Sequence, residues 1–144
     1  MDLQDIKDNW LKYLLITIVI IILIVGLIIA TLQEPKVKST EVEYKGAGVG
    51  YIDVKLTMRV ENPNIIGGIL KDLQADVYKG SAFVGPATND GSHDVKAMDT
   101  STVVVTLRVY NPQNTVAPGN WGAVGTATVE VWGQTFDINF DNTD

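Results

Sequence analysis

Hydrophobic and polar positions divide the chain into two regimes. Leu11 to Leu32 reads LKYLLITIVIIILIVGLIIATL, and Leu14 to Ala30 carries no charge and a single hydroxyl, Thr17. About 22 residues at about 1.5 Å each span about 33 Å, enough to cross a hydrocarbon core. In lipid the backbone must satisfy its own hydrogen bonds, so the pattern predicts one transmembrane helix over residues 11–32. Trp10 and Tyr13 at one end suit the membrane–water interface, and the Lys12 amine can snorkel outward. Glu34-Pro35 stops the helix at the other end, because the residue before proline is pushed out of helical geometry. A cleavable signal peptide would have a shorter apolar run and a small-x-small cleavage site. Thr31, Leu32 and Gln33 do not supply that site. Residues 1–10 then form a short tail, 33–40 a linker and 41–144 a separate domain.

Beyond the linker the period changes to two, the mark of half-buried strands. Ile52, Val54, Leu56, Met58 and Val60 alternate with Asp53, Lys55, Thr57 and Arg59. The same holds for Leu73–Tyr78, for Thr102–Val109 with Val104 as the one apolar intruder, for Ala127–Trp132 and for Thr135–Phe140. Shorter candidates are Val37–Tyr44, Ala82–Val84 and Val95–Met98. Turn signals separate them: Gly46–Gly50, Asn62-Pro63, Gly67-Gly68, Lys79-Gly80, Asn89-Asp90-Gly91, Asn111-Pro112, Pro118-Gly119-Asn120 and Gly133-Gln134. The spacing predicts an all-β domain, an antiparallel sandwich of about seven strands. A short helical turn around Ile65–Leu70 or Asn120–Val124 is the local alternative. One echo stands out: TMRVENPN at 57–64 and TLRVYNPQN at 106–114, two strand ends closed by Asn-Pro. Proline removes a ladder donor and asparagine can bond the turn that follows, so this motif reads as structural.

Charge and composition narrow the chemistry. Eleven Lys+Arg against seventeen Asp+Glu give a net charge of −6, which argues against nucleic acid as a partner. With no cysteine and one histidine, disulfides, thiolate metal sites and multi-histidine centres are excluded. Ser92-His93-Asp94 has triad letters, but consecutive side chains of an extended segment point to alternate faces and cannot form a triad. Thr88–Asp94 is oxygen-rich yet lacks the spacing and terminal Glu of a calcium loop, and reads as a solvated hairpin turn. Gly46–Gly50 lacks the Lys-Ser/Thr ending of a phosphate loop and reads as a flexible turn. No catalytic, cofactor-binding or metal residue is expected. Tyr78, Tyr110, Trp121 and Trp132 are the candidate contact residues, since three of them fall on the polar phase of their strands and aromatic patches mark contact surfaces.

Asn62-Pro63-Asn64, Leu73, then Val77-Tyr78 with Gly80, Val84-Gly85, Thr100 and the Val/Thr-rich run Thr102–Leu107 resemble the type 2 late-embryogenesis-abundant domain, also called the water-stress-and-hypersensitive-response domain. Gly125–Phe140 looks like that family's closing hairpin, and the resemblance covers about residues 40–141. It implies a Greek-key sandwich of fibronectin-III or immunoglobulin-like shape. The family-motif positions Asn62, Pro63, Asn64, Val77, Tyr78, Gly80 and Thr100, with Asn111 and Pro112 from the echo, are read as structural. The resemblance further implies a single-pass, non-enzymatic membrane protein with a cytoplasmic N-terminus and an extracytoplasmic domain at the cell surface. The lysine count, Lys7 and Lys12 before the span against Lys36, Lys38 and Lys45 after it, mildly opposes that orientation. The absence of an Asn-x-Ser/Thr sequon and of the family's frequent C-terminal cysteine fits a prokaryotic relative. The expected role is desiccation-stress protection or envelope binding, with the bilayer as partner through Leu11 to Leu32. Two alternatives stay open: a homo-oligomeric filament subunit packed through its helix, and a lipid or apolar-ligand binding module.

Overall fold

The computed structural model describes residues 3–143; Met1, Asp2 and Asp144, the outermost residues of the expected tail and domain, lie outside the described residues. The chain divides into two compact units, Met1–Leu32 and Gln33–Asp144. The first is one helix, α1 (Leu3–Ala30). It reaches back through most of the expected tail. Its Lys7–Ala30 stretch is long and apolar enough to cross a membrane, and its large apolar side chains are exposed. Helix-type hydrogen bonds continue past Ala30, from Thr31 N–H to the Leu27 carbonyl at 3.0 Å and from Leu32 N–H to Ile29 at 3.3 Å.

The second unit, the head, is an antiparallel sandwich of eight strands: β1 (Lys36–Gly48), β2 (Tyr51–Asn62), β3 (Gly68–Lys79), β4 (Ala82–Asn89), β5 (His93–Val95), β6 (Asp99–Tyr110), β7 (Trp121–Val131) and β8 (Gln134–Asn142). One sheet has the order β1-β2-β6; the other runs β4-β3-β7-β8, with β5 also on β3. The alternating residues do what their period demands. Ile52, Val54, Leu56, Met58 and Val60 pack inward from β2, with Val103, Val105, Leu107 and Val109 of β6 beside them. Leu73, Ala75, Val77, Ala127, Val129, Val131, Ile138 and Phe140 face them from the other sheet. Val104, the intruder, is exposed.

Several local expectations change. β1 starts at Lys36, inside the expected linker, and runs to Gly48, so the Gly46–Gly50 turn shrinks to Val49-Gly50. As an edge strand with bulges near Lys38 and Lys45, β1 buries little, which is why its alternation is weak. The helical turns at Ile65–Leu70 and Asn120–Val124 do not form, since β3 begins at Gly68 and β7 at Trp121. Thr88–Asp94 is not a hairpin. Both β4 and β5 run antiparallel to β3 on the same side, so the chain jogs and continues. Leu70 and Leu73 are both buried although three residues apart, because a bulge with Asp72 at φ 53° shifts the phase between them.

Strand direction gives the head two ends. The root carries the start of β1, the β2–β3 loop (63–67), the β5–β6 loop (96–98) and the β7–β8 turn (132–133). The tip carries the β1–β2 turn (49–50), the β3–β4 turn (80–81) and the long β6–β7 loop (111–120). Both Asn-Pro steps lie where the chain leaves one sheet for the other, after β2 at the root and after β6 at the tip. Proline there ends a ladder that must not continue.

The two steps are built differently. Asn62 is fully buried and Asn64 nearly so. Asn62 Oδ1 accepts from Asn64 N–H at 3.1 Å and from Asn64 Nδ2 at 2.8 Å, while its own Nδ2 donates to the Ile66 carbonyl at 3.0 Å. Asn64 then holds both backbone polar groups of Gln33: Gln33 N–H donates to Oδ1 at 2.6 Å, and Nδ2 donates to the Gln33 carbonyl at 2.8 Å. Asn111 is exposed, has φ 51° and donates its N–H to the Gly50 carbonyl at 2.9 Å. Removing one partner of a buried network leaves the others unsatisfied, at about 1–3 kcal/mol. Asn64→Ala should therefore destabilise the head by about 2 kcal/mol, whereas Asn111→Gly should stay within about 0.5 kcal/mol. Urea unfolding of the full chain in detergent, followed by tryptophan fluorescence, reads both.

Candidate contact surface

The tip collects six of the nine aromatic residues of the head. Its four tyrosines, Tyr44, Tyr51, Tyr78 and Tyr110, stand with Trp121 and Phe83 on strand segments leading to the three tip loops. They associate in pairs. Tyr44 of β1 stacks on Trp121 of β7 at 5.7 Å and 23°, closing the sandwich edge between the two sheets. Tyr51 and Tyr110 meet edge-on at 6.4 Å, and Tyr78 and Phe83 at 5.7 Å. Such pairs contribute about 0.5–1.5 kcal/mol each beyond area burial.

Two cations join the rings. Lys79 Nζ lies 5.6 Å from the Trp121 ring centroid and donates to the Gly119 carbonyl. Arg108 lies over the Tyr51 ring at 3.8 Å. Its guanidinium holds Asp53 in a fork, Nε to Oδ1 at 2.9 Å and Nη2 to Oδ2 at 3.0 Å. That hydrogen bond keeps the Asp53 carboxyl below its ordinary range, and the same bond raises Arg108. Gly48 makes room for the Tyr51 ring, which a side chain at that position would strike.

Between Tyr44, Trp121, Ile52, Lys79 and Val116 lies a mainly apolar groove of about 410 Å³. Its rim is the 111–120 loop, which is tied down rather than free. Gln113 N–H donates to the Val84 carbonyl at 2.9 Å, Asn114 Nδ2 to the Phe83 carbonyl at 2.8 Å and Gly80 N–H to the Asn120 carbonyl at 2.8 Å. Gly80, the glycine of the Val-Tyr-x-Gly segment, has φ 62° and sits where a Cβ would collide with the Pro118 carbonyl. The groove offers flat rings and cations, a chemistry suited to apolar or π-rich partners.

Of the four candidate contact residues, the structure brings Tyr78, Tyr110 and Trp121 together at the tip and sends Trp132 to the root. Tyr110 and Trp132 are exposed, Trp121 half-buried under Tyr44, and Tyr78 half-buried against Phe83. Val77 is core. Pro63 and Thr100 flank the root, with Thr100 opposite Glu61 in the ladder, and Pro112 begins the tip loop. Tyr44, Tyr51, Phe83, Lys79 and Arg108 were not singled out in the sequence. Tyr44 was hidden by an edge strand, and the others are joined only by cross-sheet and cross-strand pairing. His93 Nε2 lies 3.5 Å from Asn89 Oδ1 on the jog between β4 and β5, away from the tip.

No family model matches the chain, and no curated protein does. Solved structures similar to the chain include two of low identity. One is a protein from Archaeoglobus fulgidus, 14% identical over 76% of this chain and 98% of that one, with a TM-score of 0.49. The other is a beta-glucuronidase from glycoside hydrolase family 2, 10% identical over 76% of this chain, with a TM-score of 0.50; this chain spans 12% of that enzyme's length. At this identity the likeness bears on the fold alone.

The Asp53–Arg108 pair has a signed pH dependence. An unfolded Asp titrates near about 3.9, and the folded carboxyl titrates lower. As pH falls the unfolded chain takes up the proton first, so the pair's stabilisation is complete above about pH 5 and is lost as pH drops through the lowered folded value. The denaturation midpoint of Asp53→Asn should lie below that of the native chain by a constant gap at neutral pH, and the gap should close toward about pH 2. A gap that persists unchanged into acid would refute the assignment.

Proposed function

We propose that the chain is a single-pass membrane protein whose head works by contact rather than by turnover, with its N-terminus in the cytoplasm and its head on the outer side. The observation that carries this reading is the order of the two units. An apolar helix of membrane-crossing length is followed in the chain by an ordered head. That is the plan of a tether. At the end of the head opposite Gln33 stands the aromatic tip, with a preformed groove and rings already held in place. Preorganised aromatic surface gives contact area at low entropic cost.

The resemblance to type 2 late-embryogenesis-abundant domains sets the biological role within this reading: protection of envelope components during water loss, or binding of an envelope partner. A folded, acidic head would act through its surface, since its core is that of an ordered domain and not of a disordered protectant.

A C-terminal tag should sediment with membranes, resist alkaline carbonate, and be removed by protease added to intact cells. Tag that is protected until lysis would reverse the orientation, and tag in the soluble fraction would remove the anchor. Electron micrographs of detergent-purified protein should show dispersed particles; filaments would assign the helix to a filament core instead. In a deletion strain, survival of drying should fall and return with the native chain but not with the Tyr44→Ala/Trp121→Ala variant.

A further inference from the structure

Among the described residues, five non-glycine residues have positive φ. Asp72, Asn111 and Asn114 are of the types that tolerate the left-handed region. The other two are Met98 at φ 53° and Trp132 at φ 50°. Large side chains there cost about 1–3 kcal/mol, and such strain gathers at functional sites. Trp132 occupies the first position of a two-residue hairpin turn followed by Gly133 at φ 77°, a place that favours Asn, Asp or Gly. Met98 is held by its N–H on the Asn64 carbonyl at 2.9 Å.

Both residues are exposed, Met98 to 67% and Trp132 to 48%, and both stand on root loops. The third root loop presents Ile65, 63% exposed. Each of the three loops thus points one large apolar side chain outward, two of them against local backbone preference. Packing does not explain this, because the core positions beside them are filled by Leu70, Val95, Val129 and Val131.

The course of the chain indicates what covers them. Helix-type hydrogen bonds run to Leu32, and the Asn64 grip begins at Gln33. These two residues are consecutive, and an extended residue covers only about 3.3–3.6 Å, so connectivity alone keeps the root within a few residues' reach of the apolar span. Loops 63–67, 96–98 and 132–133 contain no acidic residue and one lysine, Lys96, in a head with nine basic and fourteen acidic residues. Nothing on them repels a lipid headgroup. The tip is also apolar, but it lies about 12 strand residues, about 40 Å, farther along the sandwich.

Resting on the anchored reading above, we propose that Ile65, Met98 and Trp132 form a lipid-docking edge that seats in the headgroup–acyl boundary of the leaflet the chain leaves. Tryptophan favours that depth, and isoleucine and methionine add apolar area at low polar cost. The edge gives the head a second attachment besides the covalent one. Docking limits its tilt and holds the tip groove toward solvent.

The test uses the full chain in vesicles of phosphatidylcholine with phosphatidylglycerol. One variant keeps only Trp132 (Trp10→Phe, Trp121→Phe) and a second keeps only Trp121 (Trp10→Phe, Trp132→Phe). Brominated phosphatidylcholine should remove about half of the Trp132 emission and little of the Trp121 emission, as expected for a ring about 5–10 Å into the boundary. Aqueous iodide should do the reverse. Ile65→Ser/Met98→Ser added to the Trp132-only chain should weaken the bromolipid effect. Equal bromolipid quenching of the two variants would overturn the docking edge. So would a Trp132 shielded from iodide yet untouched by bromolipid, which would mean that protein, such as a second copy, covers it. Flotation separates the layers of the argument. A chain that floats with the vesicles while Trp132 stays unquenched leaves the anchor standing and removes the edge, whereas a chain that does not float removes both.

Discussion

The head hangs on one amide. Asn64 binds both the N–H and the carbonyl of Gln33, and Asn62 binds both the backbone and the side chain of Asn64. A residue held by both its N–H and its carbonyl is fixed in position and direction, which a single hydrogen bond would not achieve. The network is closed, with no buried side-chain nitrogen or oxygen left unpaired among the described residues. In a low-dielectric setting a completed network of this kind is stiff, and a broken one is costly. It therefore determines where the chain enters the sandwich. That choice makes one end the root and leaves the other as the tip.

The two Asn-Pro steps show how one local motif serves two ends. Each stops the β1-β2-β6 ladder where the chain crosses to the opposite sheet. At the root the step is buried and its asparagines become structural ligands for the incoming chain. At the tip the step is exposed, and the crossing is held instead by backbone bonds from the 111–120 loop to β4 and to Gly80 and by the Asn114 side chain on the Phe83 carbonyl. Local sequence sets the stop; burial decides what else the asparagine does.

Much of the sandwich was legible because burial imposes a period of two, and β2 and β6 keep it without interruption. The period fails where the backbone leaves ideal geometry. Leu70 and Leu73 share a face only because Asp72 takes a left-handed turn, and the start of β1 looks like linker because an edge strand buries few side chains. The tip was partly legible. Tyr78 and Tyr110 fall out of phase with the core, yet Tyr44 meets Trp121 and Tyr51 meets Tyr110 only across strand pairings that no local window contains. Trp121 opens β7 and Trp132 follows its last residue. Eleven residues of extended chain, about 36 Å at 3.3 Å per residue, send them to opposite ends.

That separation bears on how such a head can work. A contact surface carried on a swinging domain loses affinity to its own orientational freedom, because each encounter must first select the right pose. The Asn64 grip fixes Gln33 on the head, and a docked root of the kind proposed would limit the head's tilt. The cost appears in the backbone at Met98 and Trp132, where asparagine or glycine would relieve strain and give a more stable head. A sequence selected for stability alone would place small or polar residues at those two positions, as it does at Asp72, Asn111 and Asn114. On the proposed docking edge, large apolar groups at the strained positions would trade stability of the head for control of its direction.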